Sequence, residues 1–172
     1  MWSVIAVEFL RAQNGELVVK EVALVSKTCM QTHHCKSPYP NYYHRRSDEI
    51  GISWDDGFIS YDQLFTVLDV STKNFAHVNS YGTETCNYMQ NLLQVLIHAL
   101  QKLICSVSHK LHSDYACYLT CHKNFSDFHC ATKYAYALCT WLEYHLKTKR
   151  YVRCPKDMSR HTAHFSSAVI NP

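Results

Sequence analysis

Glycine, proline and charged residues are all scarce in this sequence. The chain of 172 residues contains four Gly and four Pro, and only 18% of its residues are charged. So few Gly and Pro exclude long low-complexity linkers. The low charge, beside 47% hydrophobic residues, excludes an intrinsically disordered chain. No apolar run reaches the roughly 18 residues that a membrane-spanning helix needs. The composition therefore indicates one globular domain that does not enter a membrane.

A strong basic excess is also missing, whereas cysteine and histidine are abundant. The net charge of +3 permits a nucleic acid as a partner without requiring one. Nine Cys cannot all pair internally, and the first residues lack a basic leader, so we expect an intracellular protein, cytoplasmic, nuclear or both. In a reducing compartment, clustered Cys and His more often bind metal than form disulfides.

The apolar patterns predict a mixed α/β domain over residues 1–147. Residues 2–10 and 16–26 indicate two antiparallel strands joined by a tight turn at Asn14-Gly15. The pattern then predicts a third strand within 27–42, a helix capped by Ser60, a strand at 75–80, a helix from Thr83 to about 103, and a last helix at 130–147. Residues 148–172 are expected to be a basic and polar extension.

Three stretches resemble the motifs of DEDDh 3′–5′ exonucleases. Glu8, on the first strand, stands at the place of that family's glutamate, whereas Ala6 stands at the place of its aspartate. Glu84 lies near the place of the second aspartate, and the spacing from His129 to Tyr134 matches the third motif with Tyr replacing Asp. The resemblance implies an RNase H-like mixed sheet flanked by helices, with Glu8 and His129 as relicts. Two-metal hydrolysis needs several converging carboxylates, so these losses argue against activity.

A closer resemblance, to the Maelstrom domain, implies a structural zinc site. That family is similar to DEDDh nucleases that have lost their catalytic acids, and it carries a Glu-Cys-His-Cys site. Glu84, Cys117, His122 and Cys130 occur here in the same order. Four protein ligands leave no open position for a reactive water, so the expected Zn²⁺ is structural. Its binding would hold together segments that are distant in the chain.

Other ligand sets remain open. Cys121 can replace Cys117, and His129 can compete with His122. Residues 29–35 hold two Cys and two His and form a second candidate cluster, although a single short segment rarely closes a site alone.

Aromatic and basic residues make single-stranded RNA a candidate partner. The twelve Tyr can stack on bases, and phosphate contacts are expected from Arg45, Arg46, Lys149, Arg150 and Arg153. We therefore expect a catalytically degenerate, zinc-stabilised domain that binds RNA, protein partners or both. The Maelstrom resemblance implies a small-RNA or transposon-silencing context. An active single-stranded RNA or DNA nuclease and a purely structural protein-interaction module are the alternatives.

Overall fold

A computed structural model describes residues 1–12, 14–39, 55–100 and 130–148. In that part of the chain, the elements in order are β1 (Trp2–Arg11), β2 (Leu17–Val25), β3 (Met30–His34), α1 (Tyr61–Thr72), β4 (His77–Ser80), α2 (Thr83–Leu93), β5 (Ile97–Ala99) and α3 (Ala131–Thr148). Among these helices, none is both long and apolar enough to cross a lipid bilayer.

The strands form one mixed sheet in the order β3-β2-β1-β4-β5. β2 pairs antiparallel with β1 and β3, whereas β4 pairs parallel with β1 and β5. The predicted opening hairpin is confirmed. Gly15 in its turn has a φ of 84°, a conformation that glycine adopts without strain.

Helices cover both faces of the sheet. Strand residues alternate between the faces, so two apolar cores form. One core joins the sheet to α1 and α2 through residues such as Ile5, Leu68 and Met89. The other joins the sheet to α3 through residues such as Val4 and Leu138. This arrangement confirms a mixed α/β domain in which a sheet separates two helical layers.

Two predicted helices are confirmed. Ser60 caps α1 through a capping box in which its hydroxyl accepts the Gln63 N–H and the Gln63 side chain accepts the Ser60 N–H. The last helix, predicted at 130–147, is α3. Its apolar residues recur at helical spacing and pack on the sheet, as Ala135 and Leu138 show.

The predicted helix from Thr83 to about 103 is wrong in both its cap and its length. Gly82, not Thr83, is the N-cap residue, and α2 ends at Leu93. Gln94 adopts a left-handed conformation with φ of 54°, which turns the chain into β5. The predicted extension at 148–172 lies outside the described residues apart from Thr148, the last residue of α3.

Candidate site at the carboxyl ends of β1 and β4

The sequence-predicted residues Glu8 and Glu84 lie beyond the carboxyl end of β4, which stops at Ser80 beside Ile5 while β1 continues to Arg11. The two strands are parallel neighbours, and the chain leaves them toward opposite edges of the sheet. In open α/β sheets, ligands bind outside the carboxyl ends of the strands at such a point, where the strand order reverses. The term crevice denotes the region around Glu8, Arg11, Tyr81, Glu84 and Tyr134. Glu8 lies near the end of β1, and Glu84 lies in the first turn of α2, just after β4.

A row of three polar residues crosses β1, β2 and β3 beside this crevice. Glu8 is opposite Glu21, and Glu21 is opposite His34. Glu21 is fully buried, His34 is 8% exposed, and 3.7 Å separates His34 Nε2 from Glu21 Oε1. The row faces α3, because the adjacent pair on the same face, Ala6 and Ala23, belongs to the core beneath that helix.

Glu21 joins the sheet to the start of α3. Its Oε2 accepts the backbone N–H of Ala131 at 3.1 Å, and its Oε1 accepts the hydroxyl of Thr132 at 3.1 Å. The first N–H groups of a helix have no partner within the helix, and the helix dipole favours a negative charge there. Glu21 therefore stabilises α3 from a neighbouring strand, as an N-cap side chain would do locally.

Glu8 is a weak acid in this setting. Burial, followed by the negative charge of Glu21 on the facing strand, raises the pKa of Glu8 to about 8. At neutral pH this side chain is therefore mostly protonated. A protonated carboxyl is a poor ligand for a hard divalent cation, which prefers ionised oxygen donors.

Two tyrosines complete the wall of the crevice next to Glu8. Tyr81, after β4, and Tyr134, in the second turn of α3, meet edge to face with ring centroids 5.7 Å apart. Burial raises the pKa of Tyr134, and the charges of Tyr81 and Glu8 raise it further. Glu8 and Tyr134, which stand at two motif positions of the DEDDh resemblance, are thus close enough to interact electrostatically.

Glu84 is exposed and already paired. Its Oε1 accepts a hydrogen bond from Arg11 Nη2 at 3.1 Å, and both side chains are more than half exposed. An exposed pair of this kind contributes roughly 0–1 kcal/mol to stability, so it is easily exchanged for another partner. The pair places one carboxylate and one guanidinium at the mouth of the crevice.

Cys130, the other described member of the predicted zinc site, is buried just before α3. Its sulfur accepts the backbone N–H of Lys133 at 3.4 Å. The remaining predicted ligands, Cys117 and His122, and their alternatives Cys121 and His129 lie outside the described residues. Within the described residues no group of three or more His, Cys, Asp or Glu could hold a metal ion. The predicted zinc site therefore stays a prediction.

The second candidate cluster, at residues 29–35, does not form a closed site. His34 faces Glu21, whereas His33 is the neighbouring residue on β3 and points to the other face of the sheet. The predicted phosphate contacts Arg45, Arg46, Lys149, Arg150 and Arg153 lie outside the part of the chain that the structure describes.

Sequence reasoning missed Glu21, and it placed His34 in a candidate metal cluster, not beside a buried glutamate. One sequence feature could have drawn attention to Glu21: two neighbouring ionisable residues, Lys20 and Glu21, interrupt the otherwise apolar strand Leu17–Val25. Charged residues are almost never fully buried unless they are paired, so this interruption predicts a buried polar contact. Its partners cannot be read from the sequence, because they depend on the strand register and on where α3 packs.

Comparison with known proteins supports the fold alone. No family model matches the chain, and no curated protein matches it. A solved structure described as the crystal structure of a full-length 3′-exonuclease superposes with a TM-score of 0.53. The match covers 88% of this chain and 84% of that chain, at 13% sequence identity. The chain therefore has a nuclease-like fold, at low sequence identity to that nuclease.

Proposed function

We propose that this chain is a catalytically degenerate, RNase H-like domain that binds single-stranded RNA without cleaving it by two-metal hydrolysis. The observation that carries the proposal is the acid content of the crevice at the ends of β1 and β4. Ala6 offers no donor, Glu8 is mostly protonated at neutral pH, and Glu84 is paired with Arg11.

These residues do not fit the metal ions that exonucleases of this fold use. Two ions about 4 Å apart require several ionised carboxylates that converge on them. Here a tyrosine, Tyr134, stands beside Glu8, and burial together with the adjacent Glu21 keeps Glu8 protonated. No hydrolytic step follows from this donor set.

The same crevice suits recognition of an unpaired strand. Single-stranded RNA is bound by aromatic rings that stack on bases and by cations that contact phosphates. Tyr81 and Tyr134 supply the rings, and Arg11 supplies a cation at the mouth. The basic residues predicted from the sequence would extend this surface, and a small-RNA silencing role in the cytoplasm or nucleus would follow from the Maelstrom resemblance.

Zinc belongs to the proposal as a structural ion. We propose that Glu84, Cys117, His122 and Cys130 bind one Zn²⁺ and that Arg11 releases Glu84 when they do so. The Arg11–Glu84 pair is exposed and weak, so this exchange costs little. The ion would connect the start of α2 to the start of α3.

Binding and cleavage of labelled single-stranded RNA, with magnesium and with EDTA, test this function. We expect the RNA to be retained at low salt and to stay intact. Arg11→Gln should weaken binding and reduce the slope of log K against log salt by about 0.7, because one phosphate contact is lost.

Two outcomes would contradict the proposal. Cleavage that needs magnesium and disappears in Glu8→Gln would identify an active nuclease. An absence of RNA retention even at low salt would favour the protein-interaction module instead.

A further inference from the structure

Phe58 is the most exposed large hydrophobic residue in the part of the chain that the structure describes. Its exposed fraction is 83%. A single exposed apolar residue is common and carries no meaning by itself. Phe58 differs from such residues in two respects. Hydrogen bonds fix its backbone, and its ring lies beside the imidazole of His34.

The backbone around Phe58 is held against the end of β3. The N–H groups of Phe58 and Ile59 both donate to the carbonyl oxygen of His34, at 2.9 and 3.1 Å. The N–H of Lys36 donates to the Ile59 carbonyl at 2.8 Å, which completes a parallel bridge between Cys35 and Ile59. These bonds fix the chain direction at Phe58, so little conformational entropy remains to be lost when a ligand binds.

The Phe58 ring lies nearly parallel to the imidazole of His34, and most of its surface is open to solvent. The ring stacks on the imidazole of His34, with centroids 6.1 Å apart and planes within 16° of parallel. His34 itself is buried. An exposed fraction of 83% then leaves the opposite face of the phenyl ring to solvent. The result is a preformed flat surface that can extend a stack by one more ring.

The ring lies at the outer end of the polar row that starts in the crevice. Glu8, Glu21 and His34 occupy adjacent strands, and Phe58 follows His34. With neighbouring strands about 4.8 Å apart, Phe58 lies roughly 15 Å from Glu8, a distance that a few nucleotides can span. Because Glu21 and His34 are buried beneath the start of α3, an RNA strand that reaches this ring from the crevice would run over the surface of that helix start and not along the row.

The charge beside Phe58 is nearly balanced. Lys36 is exposed, and the acidic residues Asp55 and Asp56 precede Phe58. Lys20 donates to the Asp56 carbonyl oxygen and attracts both carboxylates electrostatically. Contacts with phosphates should therefore contribute little here, and the contribution of Phe58 should come from stacking, which depends little on salt.

We propose that Phe58 is a stacking platform for one unpaired nucleobase of the single-stranded RNA that the crevice binds. The inference rests on the proposed function, because the crevice must deliver the strand. Stacking on an aromatic side chain contributes about 1–3 kcal/mol per base and tolerates any base.

Fluorescence anisotropy with a labelled single-stranded RNA of mixed sequence, performed on the full chain at several salt concentrations, tests the platform. Phe58→Ala should raise Kd about tenfold, equivalent to about 1.4 kcal/mol. The increase should be the same at each salt concentration, in contrast to Arg11→Gln. Phe58→Leu keeps an apolar side chain without a π face and should weaken binding to a similar degree, whereas Phe58→Tyr should bind as the original chain does.

Phe65 offers a matched control. It is 43% exposed and lies on α1, outside the polar row. Phe65→Ala should leave Kd unchanged, and thermal melting should show that each variant is folded.

The outcomes separate the two proposals. If the original chain binds RNA and Phe58→Ala and Phe58→Leu bind equally well, the platform is wrong and the proposed function stands. If the original chain binds no RNA at low salt, both are wrong. A loss of affinity in Phe58→Ala that grows as salt is lowered would indicate a disturbed phosphate contact and would also overturn the platform.

Discussion

Glu21 shows how a buried carboxylate can be tolerated inside an otherwise apolar strand. Removing an ion from water costs several kcal/mol unless its oxygens receive hydrogen bonds. Glu21 receives them from Ala131 and Thr132 at the positive end of α3, with His34 nearby. The carboxylate is therefore part of the interface between the sheet and α3.

Replacing Glu21 should destabilise the fold through α3. Glu21→Ala removes both acceptors from the helix start and leaves a cavity, so the free energy of unfolding should fall by about 3 kcal/mol. Glu21→Gln keeps one acceptor oxygen and should cost about 1–2 kcal/mol. Urea unfolding measures both, with Glu16→Gln, on the exposed hairpin turn, as a control expected within about 0.5 kcal/mol of the original chain. Equal stability of Glu21→Ala and the original chain would show that α3 does not depend on this contact.

Glu8 should make stability depend on pH. Its pKa rises from 4.5 to about 8 in the folded state, so the folded chain holds a proton that the unfolded chain releases. Stability should therefore fall as pH rises from about 4.5 to about 8, and level off above that.

Glu8→Gln removes this dependence. The stability of Glu8→Gln relative to the original chain should increase by about 4 kcal/mol between pH 4 and pH 8, because each pKa unit corresponds to about 1.4 kcal/mol. Urea unfolding at a series of pH values measures the difference, and taking the difference cancels the other titrating groups. Parallel stability profiles for the two chains would show that Glu8 titrates near its ordinary pKa.

For single residues, the sequence indicates which side chains belong to the candidate site better than it indicates which side chains contact each other. Glu8, Ala6 and Tyr134 could be placed in one region because they lie in recognisable patterns. The row from Glu8 to His34 could not, because it exists only when three strands pair in one register. A shift of one residue in any strand would move its side chains to the other face.

Among the elements, α2 and β5 show where periodicity misleads. Apolar residues continue at helical spacing through Leu96, Ile97 and Leu100, yet the helix ends at Leu93. Gln94 reverses the chain in a left-handed conformation without glycine, and Ile97 then packs beside Val78 in the sheet. Burial in the sheet outweighs the small difference between helix and strand propensities, and only the tertiary structure reveals it. The hairpin and α1 were predictable because turn and capping residues mark their ends.

The segment before α1 depends on a glycine at one position. Gly57 has a φ of 144°, and a Cβ atom there would lie 2.4 Å from the carbonyl carbon of Cys35 and from the nitrogen of Lys36. Lys20 holds the same segment by donating to the Asp56 carbonyl oxygen at 2.6 Å. The chain between residue 55 and α1 is therefore packed directly on the end of β3.

Gly57→Ala should separate this segment from β3. Steric overlap with fixed backbone atoms and the strained φ should together cost about 3 kcal/mol or more in unfolding free energy. Gly15→Ala is the matched control: its φ is 84°, nothing lies within 4 Å of an added Cβ, and only about 1 kcal/mol of strain is expected. Urea unfolding compares the two. Equal costs would show that the contact with β3 relaxes without loss.

For the molecule as a whole, the fold resembles that of a nuclease although the sequence is only distantly similar. At 13% identity to a 3′-exonuclease structure, the chain retains a mixed sheet with helices on both faces. Alternating apolar residues specify such a layout in many sequences, so a shared fold does not by itself imply a shared function. The sequence predicted this architecture because hairpin, strands and helices follow in a characteristic order. The strand order could not be predicted from the same patterns, because it depends on which strands pair through crossovers.

The zinc content of the purified chain tests a prediction about the stability of the whole domain. If Glu84, Cys117, His122 and Cys130 bind Zn²⁺, the purified chain should contain one zinc per molecule. Removing it with a chelator should lower stability strongly, because metal binding adds directly to folding free energy.

Single replacements locate the ion. Cys130→Ser should reduce the zinc content to well below one per chain, since a thiolate ligand is lost. Cys139→Ser is the matched control, because Cys139 is also a buried cysteine, in α3, but lies outside the predicted set. Arg11→Gln should leave zinc bound or bind it more tightly, because Arg11 competes for Glu84. The zinc proposal would be wrong if the folded chain contained no zinc, or if the Cys130 and Cys139 variants lost zinc equally. Either result would also remove the basis for the Maelstrom resemblance.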